Sequence, residues 1–202
     1  MELVALVARC RQDGTRVISD EIYHGISYGR EASTALALDP DAIVLNSFSK
    51  LFRMPGWRLG WIVAHENCVQ TLNDYLLNLF LVPSSLSQHA ALAAFDDLPE
   101  LLATVTQYAK NRDRLLDALY RMGIVGIAPP DGAFYLYADV GHLTSDSLAF
   151  CQRLVDETGV AIAPGIDFDP IHGHRHVRFS FAISMKELDQ AIELLRPWLA
   201  KQ

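Results

Sequence analysis

Long apolar runs, paired cysteines and an excess of basic charge are all missing from this sequence. The longest apolar stretches, such as 76–82, are interrupted by polar residues and far too short to cross a bilayer. Lys and Arg number 17 against 24 Asp and Glu, for a formal net charge of −7. That balance offers no electrostatic footprint for nucleic acid or an anionic membrane surface, so neither is an expected partner. Three cysteines, Cys10, Cys68 and Cys151, are scattered without CxxC spacing. They fit a reducing compartment, and a cytoplasmic location is expected. The first residues hold an acidic Glu2 where a signal peptide needs basic charge, and the apolar run behind it is too short for an h-region. No repeat or low-complexity tract is seen. What is present is a globular composition, 50% hydrophobic over 202 residues, enough for one large domain or two small ones with a sizeable core.

The pattern along the chain is mixed. Leu3, Leu6 and Val7 follow helical spacing, with Gly14 as the stop. Short runs at 16–19, 42–46 and 59–64 are rich in Val, Ile and Leu, as buried parallel strands are. Helical patterns follow at 66–81, at 84–95 behind Ser84 and Ser85, and over a long amphipathic segment, 99–122, opened by Pro99. Beyond Gly123 the texture changes. Pro129-Pro130-Asp131-Gly132 is a turn, followed by a strand at 133–140, a helix at 145–158, a short strand at 160–163 and a strand at 176–183. Ser184 caps a last helix with Leu188, Ile192, Leu195 and Leu199 on one face. The expected division is 1–98 as part of an α/β sheet domain, 99–122 as a connecting helix and 123–202 as a small α+β domain.

Three polar clusters interrupt the apolar runs: Ser19-Asp20-Glu21-Ile22-Tyr23, Ser47-Phe48-Ser49-Lys50 and Gly56-Trp57-Arg58-Leu59-Gly60-Trp61. Two fall at the carboxyl ends of predicted strands, where open α/β sheets bind ligands. A charged Asp20 and Lys50 at the ends of buried strands would need partners or a ligand. The residue types suit pyridoxal 5'-phosphate. That cofactor requires a lysine amine for a Schiff base and an acid beside its pyridine nitrogen. Tyr23 offers a phenol for the ring hydroxyl, and Ser47, Ser49 and Arg58 offer hydroxyls and a bidentate cation for the phosphate. Each has a plainer reading: Lys50 as a solvated lysine, Asp20 as a turn residue, Arg58 as an ion-pair partner, Ser47 and Ser49 as local backbone caps. Trp57 and Trp61 read as packing residues.

With these motifs the sequence resembles the class I/II aminotransferases, the fold-type I pyridoxal-phosphate enzymes. Asp20-Glu21-Ile22-Tyr23 matches their strand-end Asp and Tyr, and Ser47-Phe48-Ser49-Lys50 with Arg58 matches their cofactor-lysine signature. Arg53 departs from the pattern, standing where the family generally has a small or apolar residue. The resemblance continues through Asp131-Gly132-Ala133-Phe134-Tyr135-Leu136, Ala163-Pro164-Gly165 and Val177-Arg178-Phe179-Ser180-Phe181-Ala182. It implies Lys50 as the catalytic residue and Asp20, Tyr23, Ser47, Ser49, Lys50 and Arg58 as cofactor-binding residues. It also implies exchange of an amino group between an amino acid and a 2-oxo acid, and a homodimer. The family's chains are considerably longer, so the resemblance implies the C-terminal portion of such an enzyme. An incomplete large-domain sheet with open edges is then expected. The donor amino acid is not indicated.

Arg178 has a second argument. In an extended run His176, Arg178, Ser180 and Ala182 share one face, while Val177, Phe179, Phe181 and Ile183 share the other, apolar one. A lone guanidinium among small residues suits a substrate carboxylate, the role that the resemblance gives it. In the run His172-Gly173-His174-Arg175-His176, histidines recur at alternate positions, with Asp167 and Asp169 near. No Cys or carboxylate pattern completes a metal site, and no metal is expected. Two alternatives share the same residues: a C–S β-lyase on the same scaffold, and an inactive truncated fragment with no turnover.

Overall fold

A computed structural model describes residues 2–202. The chain divides into two compact units, one through Thr104 and one from Val105, and the boundary falls inside a long helix.

In the first unit α1 (Glu2–Gln12) precedes β1 (Ile18–Asp20), β2 (Ile43–Ser47) and β3 (Gly60–Val63). Helices α2 (Glu66–Phe80), α3 (Ser85–Ala94) and the first turns of α4 (Leu98–Arg121) follow. The strands form one sheet in the order β1-β2-β3. β1 runs parallel to β2, with Asp20 opposite Leu45. β3 runs antiparallel to β2, with Ser47 opposite Gly60. The expectation of three parallel strands therefore holds for one pair alone. The segment between β2 and β3 contains a 3-10 turn, Pro55–Trp57, rather than the crossover helix that a parallel return requires.

The expectation of buried strands is also corrected. Val44 in the central strand is buried, but Ile18 is 64% exposed and Ile62 and Val63 are 40% exposed, because β1 and β3 are edges. Among the described residues, the buried side chains of this unit include two small clusters. Ala35, Ala42 and Val44 pack with Val17 and Leu36. Phe48, Phe52, Met54 and Ala91 pack with partly buried neighbours that include Leu59 and Trp61. In the second cluster Phe48 lies 4.7 Å from Phe52 and 5.0 Å from Trp61 between ring centroids, and such pairs add about 0.5–1.5 kcal/mol each beyond area burial. Phe48 thus anchors the backbone that carries Ser47, Ser49 and Lys50. Trp61 packs as expected, whereas Trp57 is largely exposed. Leu79, Phe80, Leu81 and Val82, at the end of α2, are 69–75% exposed.

The second unit holds β4 (Gly126–Ile127), β5 (Tyr135–Asp139), α5 (Ser147–Thr158), β6 (Ala163–Pro164), β7 (His176–Ser180) and α6 (Met185–Leu199). Its sheet is antiparallel throughout, in the order β4-β5-β7-β6. Local chemistry sets the helix ends. Asp146 caps α5, Gly159 ends it in the left-handed region, and Ser184 with Glu187 forms a capping box on α6. Leu136, Ala138, Val177, Phe179 and Phe181 are buried along with Phe150 and Leu154 of α5 and Ile192 and Trp198 of α6. The strand expected over 176–183 ends at Ser180, and Ile183 is 37% exposed instead of joining the core. The chain leaves the sheet there to reach the Ser184 cap. The strand expected at 160–163 shrinks to Ala163–Pro164.

Burial pushes the Cys151 thiol up to about 11, with the charge of Asp167 adding to it. Asp139 accepts the Gly141 N–H at 2.8 Å and a forked contact from Arg175 at 3.1 and 2.7 Å. The Gly141 bond, then Arg175, hold its carboxyl below the ordinary 3.8, against an opposing effect of burial. A lowered carboxyl contributes stability that is present above its ordinary value and lost as pH falls through the folded value. Asp139→Asn is therefore expected to lower the melting temperature at neutral pH. Its deficit against the parent chain should close below pH 3.8, as measured by thermal unfolding across pH.

Candidate active site

The first unit brings the signature residues to one end of the β1–β2 pair. Asp20 closes β1, and Ser47 closes the neighbouring parallel strand β2. Lys50 follows on the turn after β2, half-buried, with its Nζ 5.5 Å from the centroid of the Tyr23 ring. An ammonium over an aromatic face is attracted by the ring quadrupole. Tyr23 arrives there on the turn after β1, where the Ile26 N–H donates to the Tyr23 carbonyl at 3.0 Å. Asp20 is exposed, and its Oδ1 accepts the Ile22 N–H at 3.2 Å. The reasoning that buried charge at this position requires a partner is corrected accordingly, because β1 is an edge strand.

The two serines form a hydroxyl pair. Ser47 Oγ lies 2.9 Å from Ser49 Oγ, donates to the Leu59 carbonyl at 3.2 Å and accepts the Ser49 N–H at 3.0 Å. The plainer reading of Ser47, as a satisfier of local backbone groups, is thus met in part. Leu59 lies directly after Arg58, so the hydroxyl pair is tied to the Arg58 segment. Gly60 permits this approach, since a Cβ there would stand 2.6 Å from the Asn46 carbonyl oxygen. Arg58 adopts the left-handed region at φ 50 and donates from Nη1 to the Pro55 carbonyl at 2.9 Å. Arg53, the departure from the family pattern, is exposed and is also left-handed, at φ 57. Non-glycine residues rarely adopt that region, and two of them bracket the loop between Lys50 and β3.

In the second unit Arg178 is half-buried in β7, opposite Tyr137 of β5 and Ala163 of β6. Its guanidinium lies 4.2 Å from the Tyr135 ring centroid and 4.2 Å from that of Phe168. Two aromatic rings thus lie against the guanidinium. Tyr135 and Phe168 were not singled out from sequence, since cross-strand pairing and the return of a loop place them there. The histidines are engaged locally. His176 stacks on Tyr137 at 4.9 Å, and its Nδ1 meets the His172 carbonyl at 2.9 Å. Asp169 accepts the N–H groups of Ile171 and His172, so this acid is taken up in turn formation. Among the described residues no group of His, Cys, Asp or Glu is placed to hold a metal ion.

Comparison with known proteins decides the family. Residues 1–195 match the family description "Aminotransferase class I and II". The chain belongs to the class I and II aminotransferases. It is 45% identical to a valine–pyruvate aminotransferase of Mycobacterium tuberculosis, across all of this chain and 53% of that protein. It is 30% identical to an aspartate aminotransferase of Sulfurisphaera tokodaii, across 98% of this chain and 52% of that one. The crystal structure of an aminotransferase from Mycobacterium tuberculosis superposes with a TM-score of 0.95 at 45% identity, covering all of this chain and 53% of its own. An aspartate aminotransferase from Thermotoga maritima gives 0.85 at 28% identity, over 98% and 51%. The class I/II chain thus spans about half the length of the curated relatives it matches. Its three-stranded sheet and following α+β unit are part of a fold-type I aminotransferase. Among the described residues of this family member, no helix is long and apolar enough to cross a membrane.

Proposed function

We propose that the chain carries the cofactor lysine and the carboxylate-binding arginine of a pyridoxal-phosphate-dependent aminotransferase. The observation that carries this reading is the meeting of Lys50 and Tyr23 at the ends of two adjacent parallel strands. The residues present fit the cofactor: an amine, an exposed carboxylate, a phenol and a hydroxyl pair lie at one end of the β1–β2 pair, and Arg58 directly precedes Leu59, whose carbonyl the Ser47 hydroxyl meets. When bound, pyridoxal 5'-phosphate supplies an electron sink for the charge developed at the substrate α-carbon. Lys50 is its point of attachment and afterwards the base that holds and moves the α-proton at Nζ. With the cofactor bound, Asp20 would pair with the ring nitrogen and favour its protonated form, and the Tyr23 hydroxyl would donate a hydrogen bond to the ring oxygen. Ser47 and Ser49 hydroxyls and Arg58 take the phosphate. Arg58 has donors beyond the one given to Pro55, since a guanidinium carries five.

The substrates in this reading are an amino acid and a 2-oxo acid. The relative at 45% identity makes valine with pyruvate the first pair to assay. A homodimer in the cytoplasm completes the proposal. The exposed apolar run at the end of α2 supports coverage by another protein surface, and three unpaired cysteines support a reducing compartment. The test is to supply the purified chain with pyridoxal 5'-phosphate, valine and pyruvate and to measure alanine. A folded chain that gains no visible cofactor absorbance would overturn the proposal. Pyruvate and ammonia from cystathionine, without amino transfer, would replace it with the β-lyase.

In the second unit Arg178 is assigned the substrate carboxylate. Arg178→Lys keeps the charge but loses the fork, and a hydrogen bond to a charged group is worth about 1.5–3 kcal/mol. The KM for the amino acid is expected to rise roughly 10- to 100-fold by that measure, with a smaller change in kcat. Initial rates over a donor series check it.

A further inference from the structure

Glu21 stands between Asp20 and Tyr23, is 4% exposed, and has no part in the cofactor contacts assigned above. A buried carboxylate is costly unless its oxygens are engaged, and here both are. Oε1 accepts the Ala35 N–H at 2.8 Å and the Thr34 hydroxyl at 3.1 Å. Oε2 lies 3.1 Å from His24 Nδ1. The Glu21 N–H donates to the Leu45 carbonyl at 2.8 Å, extending the β1–β2 pairing by one residue.

These partners come from two directions. Ala35 is fully buried in the cluster with Ala42 and Val44. Thr34 caps the 3-10 turn Ala35–Ala37. His24 lies on the turn after β1, where its N–H donates to the Glu21 carbonyl at 2.9 Å. Two residues later Ile26 is 1% exposed. Tyr23 therefore lies on a short turn that the Glu21 carboxylate ties to the buried Ala35 cluster.

We propose that Glu21 is a positioning residue for Tyr23: its carboxylate clamps the turn after β1 to the Ala35 segment and so holds the Tyr23 ring against Lys50. The purpose of that placement rests on the cofactor reading. The placement itself does not, so it is tested on the 202-residue chain without cofactor. Lysines are dimethylated with carbon-13 formaldehyde, and the Lys50 methyl signal is assigned through Lys50→Arg. In the parent chain this signal should carry a ring-current displacement and a cross-relaxation contact to the Tyr23 ring, both lost in Tyr23→Leu.

Glu21→Leu fills the site without an acceptor. It is expected to lose the contact and to move the signal to its Tyr23→Leu position. Glu21→Gln retains an oxygen for Ala35 and Thr34 and should restore both. Persistence of the contact in folded Glu21→Leu, or its loss in Glu21→Gln, overturns the proposal. If Glu21→Leu does not fold, Thr34→Val combined with His24→Leu removes one partner from each oxygen and is read in the same way. Failure of the parent chain to take up pyridoxal 5'-phosphate would overturn the cofactor reading and leave the clamp result standing.

Discussion

Lys50→Ala is expected to abolish amino transfer and the visible absorbance of lysine-bound cofactor while leaving the fold intact. Lys50 is half-buried and lies outside the Phe48–Phe52 packing that anchors its loop. Truncation there removes the contact with the Tyr23 ring, worth about 0.5–1 kcal/mol, and is expected to leave the fold in place. The chemical loss is of another order. On the proposed reading, loss of Nζ removes both the amine that attaches the cofactor and the base for the α-proton. Losing a proton-transfer group alone costs up to about 10⁴-fold in rate. Lys50→Arg is the control for charge, because a guanidinium stays protonated and cannot serve as either nucleophile or base. Rates, absorbance and borohydride trapping should all fall to background in both variants. Circular dichroism should match the parent. Residual turnover of a few per cent in Lys50→Ala would remove Lys50 from the chemistry.

Asn111→Leu should produce a large loss of stability in the second unit. Asn111 is fully buried on α4, and its amide nitrogen donates to the Phe181 carbonyl at 2.9 Å and the Ile183 carbonyl at 2.7 Å. Its Oδ1 accepts from Gln107 Nε2 at 2.9 Å. One side chain thus satisfies the backbone where the chain turns from β7 toward α6. An apolar replacement of similar volume removes the donor from both carbonyls, the Phe181 bond buried and the Ile183 bond part-buried, and a buried group left unpaired costs about 1–3 kcal/mol. The expected loss of roughly 2–5 kcal/mol is a large share of the 5–15 kcal/mol that holds a typical domain. Asn111→Asp separates donors from volume. It keeps the size, has no amide hydrogens, and should be at least as damaging. Urea denaturation of the two variants checks the ordering, and a Leu variant as stable as the parent would deny the bond its role.

Asn111 also shows where the sequence stopped being legible. It is a polar residue within the expected helix at 99–122, and nothing local names carbonyls some seventy residues away. Glu21 is similar, since its partners Thr34 and Ala35 arrive through tertiary packing. Elements set by local chemistry were read closely. The expected helix at 99–122 is α4 (Leu98–Arg121), and the expected Ser184 cap is a complete capping box. The direction of β3 and the exposure of Ile18, Ile62 and Val63 were not readable, because both depend on which strands lie alongside. The cofactor signature was readable as spacing. The aromatic faces around Arg178 were not, since Tyr135 and Phe168 reach it from a neighbouring strand and a loop.

The turns at Gly165–Asp167 and Gly173–Arg175 meet backbone to backbone, and a Cβ on Gly165 would fall 2.5 Å from the Gly173 carbonyl oxygen. No side chain lies between them to slide or to change rotamer, so the two turns have no slack. Phe168 follows the first turn directly, and Arg178 follows the second by three residues. Phe168 and Arg178 thus flank one close backbone contact, and a side chain added at Gly165 or Gly173 is expected to disturb the 4.2 Å approach of the guanidinium to the Phe168 ring.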